Sequence, residues 1–217
     1  MSYVNDIQRL VNTALSELQQ AIDEKKIQPN PVSEESFLCR WFAQAIKKHR
    51  FGSSVANEMT LWVQQGRSMG KNADLKGQLL HISNVYRHFF SDDKSDRAIT
   101  RDQLDALIDS LDDGQWMVNI QYEINRKVKV ISDGQHSFAI CAKALESAFD
   151  ADGKLIKPLS FYVRCPESEF IDLAVSQDMA LTKVTDYKSI VKYHAEYQLW
   201  PENRANCLAV LPANMKP

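Results

Sequence analysis

The sequence predicts an α+β fold: a helical, bundle-like N-terminal half, then a mixed, largely antiparallel sheet with covering helices. Two patterns carry this. Before Gly114, apolar residues recur at steps of three and four in five segments separated by turn signals. At Trp116 the period becomes two: Trp116, Val118, Ile120, Tyr122 and Ile124 alternate with Met117, Asn119, Gln121, Glu123 and Asn125. A second alternating run, Val191, Tyr193, Ala195, Tyr197 and Leu199, lies near the C-terminus. The expected division is 1–114 helical and 115–217 sheet. Gly114 is a short joint rather than a linker, so two domains and one continuous domain both fit.

Ile7, Val11, Ala14, Leu18 and Ala21 mark one stripe of a first helix reaching about Lys25. Pro29 and Pro31 break it, and Ser33 is the expected N-cap of a second helix bearing Phe37, Leu38, Trp41, Phe42, Ala45 and Ile46. Lys47, Lys48, His49 and Arg50 close that helix, where cations suit the dipole. A third is expected from Gly52 to Gly66 and a fourth from Asn72, with Leu75, Leu79, Ile82, Tyr86 and Phe89 on one face. Ser91 to Arg97 is the most polar stretch. Thr100 with Gln103 forms a capping box before a fifth, short helix stopped by Gly114.

Beyond the Trp116 strand, Asn125-Arg126 suggests a hairpin into a strand over Val128 to Ile131, and Asp133-Gly134 a turn. Helical spacing returns from Ser137, through Phe138, Cys141, Ala142, Leu145, Ala148 and Phe149. Strands are expected at Leu159 to Arg164, Leu181 to Val184, Val191 to Leu199 and Cys207 to Leu211, with a short helix at Glu169 to Val175.

The chain has 217 residues, with 44% hydrophobic and 25% charged residues, enough to bury a core without disulfide or metal. A net charge of -2 gives no general attraction to nucleic acid or anionic membrane, so any such binding is local. Cys39, Cys141, Cys165 and Cys207 lie far apart, without zinc or redox spacing, and read as reduced thiols. No segment reaches the ~18 apolar residues of a membrane span, and no basic n-region precedes an apolar run at the N-terminus. The expected address is the cytoplasm.

The phrases FLCRWFAQAIKKHRF, WVQQGRSMGKNADL and YKSIVKYHAEY resemble an uncharacterised bacterial family described as a domain of unknown function. The resemblance covers most of the chain. It implies a bacterial, cytoplasmic setting and no activity, ligand or catalytic residue.

Gly66 to Asn72 carries two glycines and Lys71, but three residues rather than four separate the glycines, and asparagine follows the lysine. That excludes a nucleotide-hydrolysing loop and leaves an anion site at a helix N-terminus, with Arg67 and Lys71 adding charge. A helix–helix turn with solvated cations explains the same residues. From Arg40 to His81 seven Lys and Arg face two acidic residues. Lys47, Lys48, Arg50, Arg67 and Lys71 thus define a candidate basic helical surface for nucleic acid or a protein partner, against the plainer reading of a solvated face. His194 and Glu196, two apart on an expected strand, could perform acid–base chemistry or bind a metal, against the plainer reading of exposed polar strand positions, which explains the pair without chemistry. Asp150, Asp152 and Glu167 make a weaker acidic grouping, since aspartates favour turns. No complete catalytic constellation, metal set or cofactor motif emerges. The sequence therefore points to a non-catalytic interaction or regulatory protein. The alternative is an enzyme acting on an anionic substrate held near Arg67 and Lys71, with the His194 and Glu196 pair on the polar face of the sheet.

Overall fold

A computed structural model describes residues 2–91, 97–111, 114–131 and 133–217. Most of the polar stretch between Ser91 and Arg97 lies outside the described residues. The fold is α+β, and the chain divides into two compact units: Met1–His88 with Met215–Pro217, and Phe89–Asn214.

The first unit is built on α1 (Tyr3–Asp23), α2 (Pro31–Lys47), α3 (Ala56–Met69) and α4 (Leu75–Phe90). Ser2 caps α1, and the expected stripe is buried from Val4 to Ala21. The cap of α2 is Asn30 rather than Ser33. Its side chain accepts from the Ser33 amide at 3.0 Å, and Pro31 opens the helix where its missing N–H costs nothing. Phe42, fully buried, meets Trp41 edge-on at 5.2 Å and Trp62 at 4.9 Å. Burying such a ring is worth roughly 1.5–3 kcal/mol.

Gly66 does not end α3, which continues to Met69. A Cβ at Gly66 would lie 2.9 Å from the Cβ of Cys39, so the glycine lets α2 and α3 approach. A 3-10 turn over Gly70–Ala73 follows, and α4 starts at Leu75 rather than at Asn72.

The second unit contains α5 (Arg101–Ser110), β1 (Trp116–Asn119), β2 (His136–Ala139), α6 (Ala142–Ala148), β3 (Leu159–Arg164), α7 (Glu167–Ser176), β4 (Leu181–Thr185) and β5 (Ala195–Leu199). Thr100 and Gln103 make the expected capping box on α5. The strand order is β1-β2-β3-β5-β4; β1 and β2 are parallel and the other pairs antiparallel. Phe138, Phe161 and Phe170 form an aromatic core with centroids 5.4 to 6.3 Å apart.

Four expectations about this unit are corrected. The strand at Trp116 stops at Asn119, and no hairpin follows. Ile124, Val128 and Val130 instead pack beside Ala139, Tyr162 and Val191 without a ladder, while Tyr122, expected on the apolar face, is exposed. Residues 136–139 are strand, not helix: Ser137 to Ile140 are all buried, and an interior strand lacks the alternation that would distinguish it. The run from Val191 breaks at Tyr193, so β5 begins at Ala195. Cys207 to Leu211 forms no strand, although the Val210 amide donates to the Leu181 carbonyl at 2.8 Å.

Among the described residues no helix is long and apolar enough to cross a membrane.

Candidate functional site

His194 is buried and lies just before β5, not exposed on a strand face. Its Nδ1 is 2.9 Å from the Lys192 carbonyl and its Nε2 is 2.9 Å from Ser137 Oγ. A carbonyl can only accept, so Nδ1 carries the hydrogen and Nε2 accepts from the Ser137 hydroxyl. Burial lowers the His194 pKa; the Lys192 carbonyl opposes this and the Arg164 charge adds to it. The imidazole is thus a neutral brace. Ser189 Oγ, also buried, lies 2.5 Å from the Val191 carbonyl and 2.8 Å from that of His194. Glu196 is half-buried beside Tyr162 and Thr185 in the sheet. Burial, with the Glu196 charge second, pushes the Tyr162 phenol up to about 12. Among the described residues no hydrogen bond joins His194 to Glu196.

The braced turn has an unusual product. Tyr193 sits at φ 66°, a region that bulky L-residues rarely occupy, yet its side chain is 62% exposed. It lines an open groove of about 700 Å³ with Lys129, Arg164, Cys165, Tyr187 and the Glu167–Lys183–Asp186 cluster. Tyr187 is 82% exposed. The Lys183 ammonium contacts Glu167 and lies 2.6 Å from Asp186. Burial opposes its charge, but the hydrogen bonds it donates to Asp186 and Glu167 outweigh that and raise its pKa. The Tyr197 hydroxyl donates to Glu167 at 2.9 Å; burial, then that carboxylate, raises its pKa. Burial and the nearby Glu169 and Glu167 push the Cys165 thiol up to about 12.

One chain pairing brings together the two segments that carry Lys129, Tyr187 and Tyr193 of the groove. Val128 bridges Val191 in parallel, with the Val128 amide donating to the Ile190 carbonyl at 3.0 Å and the Lys192 amide to the Val128 carbonyl at 2.9 Å. The segments so joined, 124–131 and 187–193, contain Arg126, Lys127, Lys129, Lys188 and Lys192 and no Asp or Glu. All five side chains are exposed, as is Arg164. None of the six pairs with a carboxylate among the described residues.

The helical cations are arranged differently. Arg50 binds Glu17 at 2.7 Å and lies over the Trp41 ring at 5.0 Å, which gives it a structural task. Lys47, Lys48 and Arg67 are exposed. Lys71 lines a hollow of about 200 Å³ with Glu34, Glu35 and Asp74. The amide of Leu75, at the start of α4, donates to both carboxylate oxygens of Glu35, one of them at 3.1 Å. A side-chain carboxylate therefore already occupies the place where an anion would sit. Arg67 and Lys71 belong to the first unit, and His194 and Glu196 to the second.

The acidic trio is likewise accounted for. Asp150 accepts the amides of Asp152 at 3.0 Å and Lys154 at 2.8 Å in a turn, while Glu167 serves Lys183 and Tyr197. The groove residues Lys129, Arg164, Tyr187 and Tyr193 were not singled out by sequence reasoning. The signal available was the absence of acidic residues from two short cationic segments, one of them opening the tyrosine-rich phrase YKSIVKYHAEY.

Residues 2–212 match the model of a family described as a protein of unknown function (DUF2913). No curated protein and no solved structure matches the chain.

Proposed function

The chain belongs to the DUF2913 family of unknown function, and we propose that it is a non-catalytic binding protein that holds a polyanionic partner in the groove of its sheet unit. The observation that carries this reading is the set of six exposed cations without carboxylate partners among the described residues, five on the segments joined by the Val128–Val191 bridge and Arg164 at the groove wall. Phosphate-bearing chains bind such clusters by releasing condensed counterions, an effect that needs local charge and not a basic protein overall. The near-neutral total of -2 fits a partner bound at one place only.

The groove's own titratable groups support binding rather than catalysis. Cys165 is held as a thiol, Lys183 as a salt-bridged ammonium and Tyr197 as a phenol committed to Glu167. A thiol is a poor nucleophile and a paired ammonium a poor base. His194, the acid–base candidate, has both nitrogens engaged inside the protein. A bacterial cytoplasmic setting accords with the thiols, and it belongs to the same proposal.

Retention on a heparin column tests the reading. The wild type is expected to bind at low salt and elute as salt rises, and Lys129→Ala with Arg164→Ala to elute markedly earlier. Lys47→Ala with Lys48→Ala probes the helical surface and is expected to elute with the wild type. No retention at low salt, or a groove variant that elutes unchanged, would overturn the proposal.

A further inference from the structure

The polyanion reading leaves the chemistry of the partner open, and the groove's tyrosines narrow it. From their placement we infer that the groove takes single-stranded nucleic acid, with its bases stacked on Tyr187 and Tyr193 and its phosphates on the surrounding cations. This inference rests on the polyanion reading and adds the bases to it.

Exposure is the first reason. Tyrosine usually buries its ring and leaves only the hydroxyl wet. Tyr187 at 82% and Tyr193 at 62% instead leave most of their surface free, and both line the same groove as Lys129 and Arg164. A cationic channel with exposed aromatic rings is how proteins hold strands whose bases are already unstacked, because every base offers a flat π-face whatever its sequence.

The second reason is independent of exposure. Tyr193 adopts φ 66°, where glycine or asparagine would sit with less strain. The surrounding turn is fixed by three buried polar side chains: Ser137, Ser189 and His194. Such a network over-determines a backbone conformation that the tyrosine itself disfavours, and strained residues held this way cluster at ligand sites. A turn needed only for chain reversal would have no reason to carry a large aromatic there.

The third reason is extent. Cations lie along both bridged segments, Arg126, Lys127 and Lys129 on one and Lys188 and Lys192 on the other, with Arg164 on β3. Lys129 and Arg164 line the groove and the other four lie on the segments that carry Lys129, Tyr187 and Tyr193, more positive charge than one nucleotide needs and enough for a run of phosphates. A duplex would meet the cations but could not offer stacked-in bases to the two rings. A sulfated polysaccharide likewise has charge without π-faces. Lys183 adds nothing to the positive side, because with Glu167 and Asp186 it makes a cluster of net charge about -1 on the groove wall, opposite in sign to Lys129 and Arg164.

Fluorescence anisotropy decides the matter. The probes are a labelled oligothymidine of about fifteen nucleotides, a hairpin duplex of equal charge, and labelled heparin. The single strand is expected to bind the wild type more tightly than either competitor. Tyr187→Ala and Tyr193→Ala should each weaken it by about 5- to 150-fold, the range set by losing one base–aromatic stack, while heparin binding changes less than about twofold. Tyr193→Phe keeps the ring and should retain binding. Tyr193→Gly relieves the backbone and should remain folded, so its loss of binding cannot be ascribed to unfolding. Equal binding of strand, duplex and heparin, or tyrosine variants that bind the strand as the wild type does, would overturn the inference and leave polyanion binding standing. Failure of all three probes at low salt would remove both.

Discussion

His194 shows how one buried side chain changes meaning when its partners are known. In the chain it is an alternating polar position; in the fold it donates to the Lys192 carbonyl and accepts from Ser137. Its pKa is depressed, chiefly by burial. Between the folded value and the unfolded value of about 6.5, the unfolded chain binds more protons than the folded one. Stability from this residue is therefore present above pH of about 6.5 and lost as pH falls below it. Denaturant unfolding should show wild-type stability dropping from neutral pH toward about 5.5, and His194→Gln dropping less over the same range. At neutral pH the variant should be weaker by about 1–3 kcal/mol, since it disturbs two buried hydrogen bonds. The four other histidines are common to both proteins, so the comparison isolates His194. A variant with the wild-type pH slope would show that the imidazole is not held neutral. The sequence could not disclose this arrangement. Ser137 and Lys192 are far from being a motif, and a residue 57 positions away supplies one of the bonds.

Among the elements, helices were legible and their ends less so. Strong apolar stripes at helical period mark α1 to α5, and the capping box at Thr100 was read in full. The ends depend on competition between neighbouring signals. Asn30 outcompetes Ser33 as a cap because Pro31 favours the first helical turn, and Gly66 reads as a stop although its missing side chain serves packing. Gly66→Ala separates those two roles. On an exposed helix the change would stabilise by about 1 kcal/mol. Here the new methyl would meet Cys39 Cβ at 2.9 Å and Sγ at 3.0 Å, contacts that helix backbones must shift to relieve. Overpacking of this kind costs about 1–3 kcal/mol, so the packing penalty outweighs the propensity gain. Urea unfolding of the variant should give a lower midpoint; an unchanged or raised midpoint would return Gly66 to the role of a tolerated helix residue. Strands were harder. β2 is a continuous buried run, and in the segment after Asn119 only Ile124, Val128 and Val130 pack on Ala139, Tyr162 and Val191 without joining a ladder, while Tyr122 of the alternating set is 68% exposed. Periodicity reports which side chains are buried, and several backbone paths can bury the same set.

On the scale of the whole molecule, the charge balance hides the candidate site. Cations and carboxylates nearly cancel over 217 residues, so long-range steering toward an anionic partner is weak and affinity has to arise at contact. This bounds the salt dependence. For a single strand, log K falls with log salt at a slope of about -0.7 per phosphate neutralised. Lys129 and Arg164 in the groove, with Arg126, Lys127, Lys188 and Lys192 on the segments that carry Lys129, Tyr187 and Tyr193, could neutralise at most one phosphate each, which limits the slope to about -4. Removing Lys129 and Arg164 together should make it shallower by about 1.4, while removing Lys47 and Lys48 should leave it unchanged. The measurement is anisotropy titration of the oligothymidine at several salt concentrations for the three proteins. A slope steeper than about -4 would show that cations beyond these six hold the strand, and one that falls when the α2 lysines are removed would place the helical surface among them.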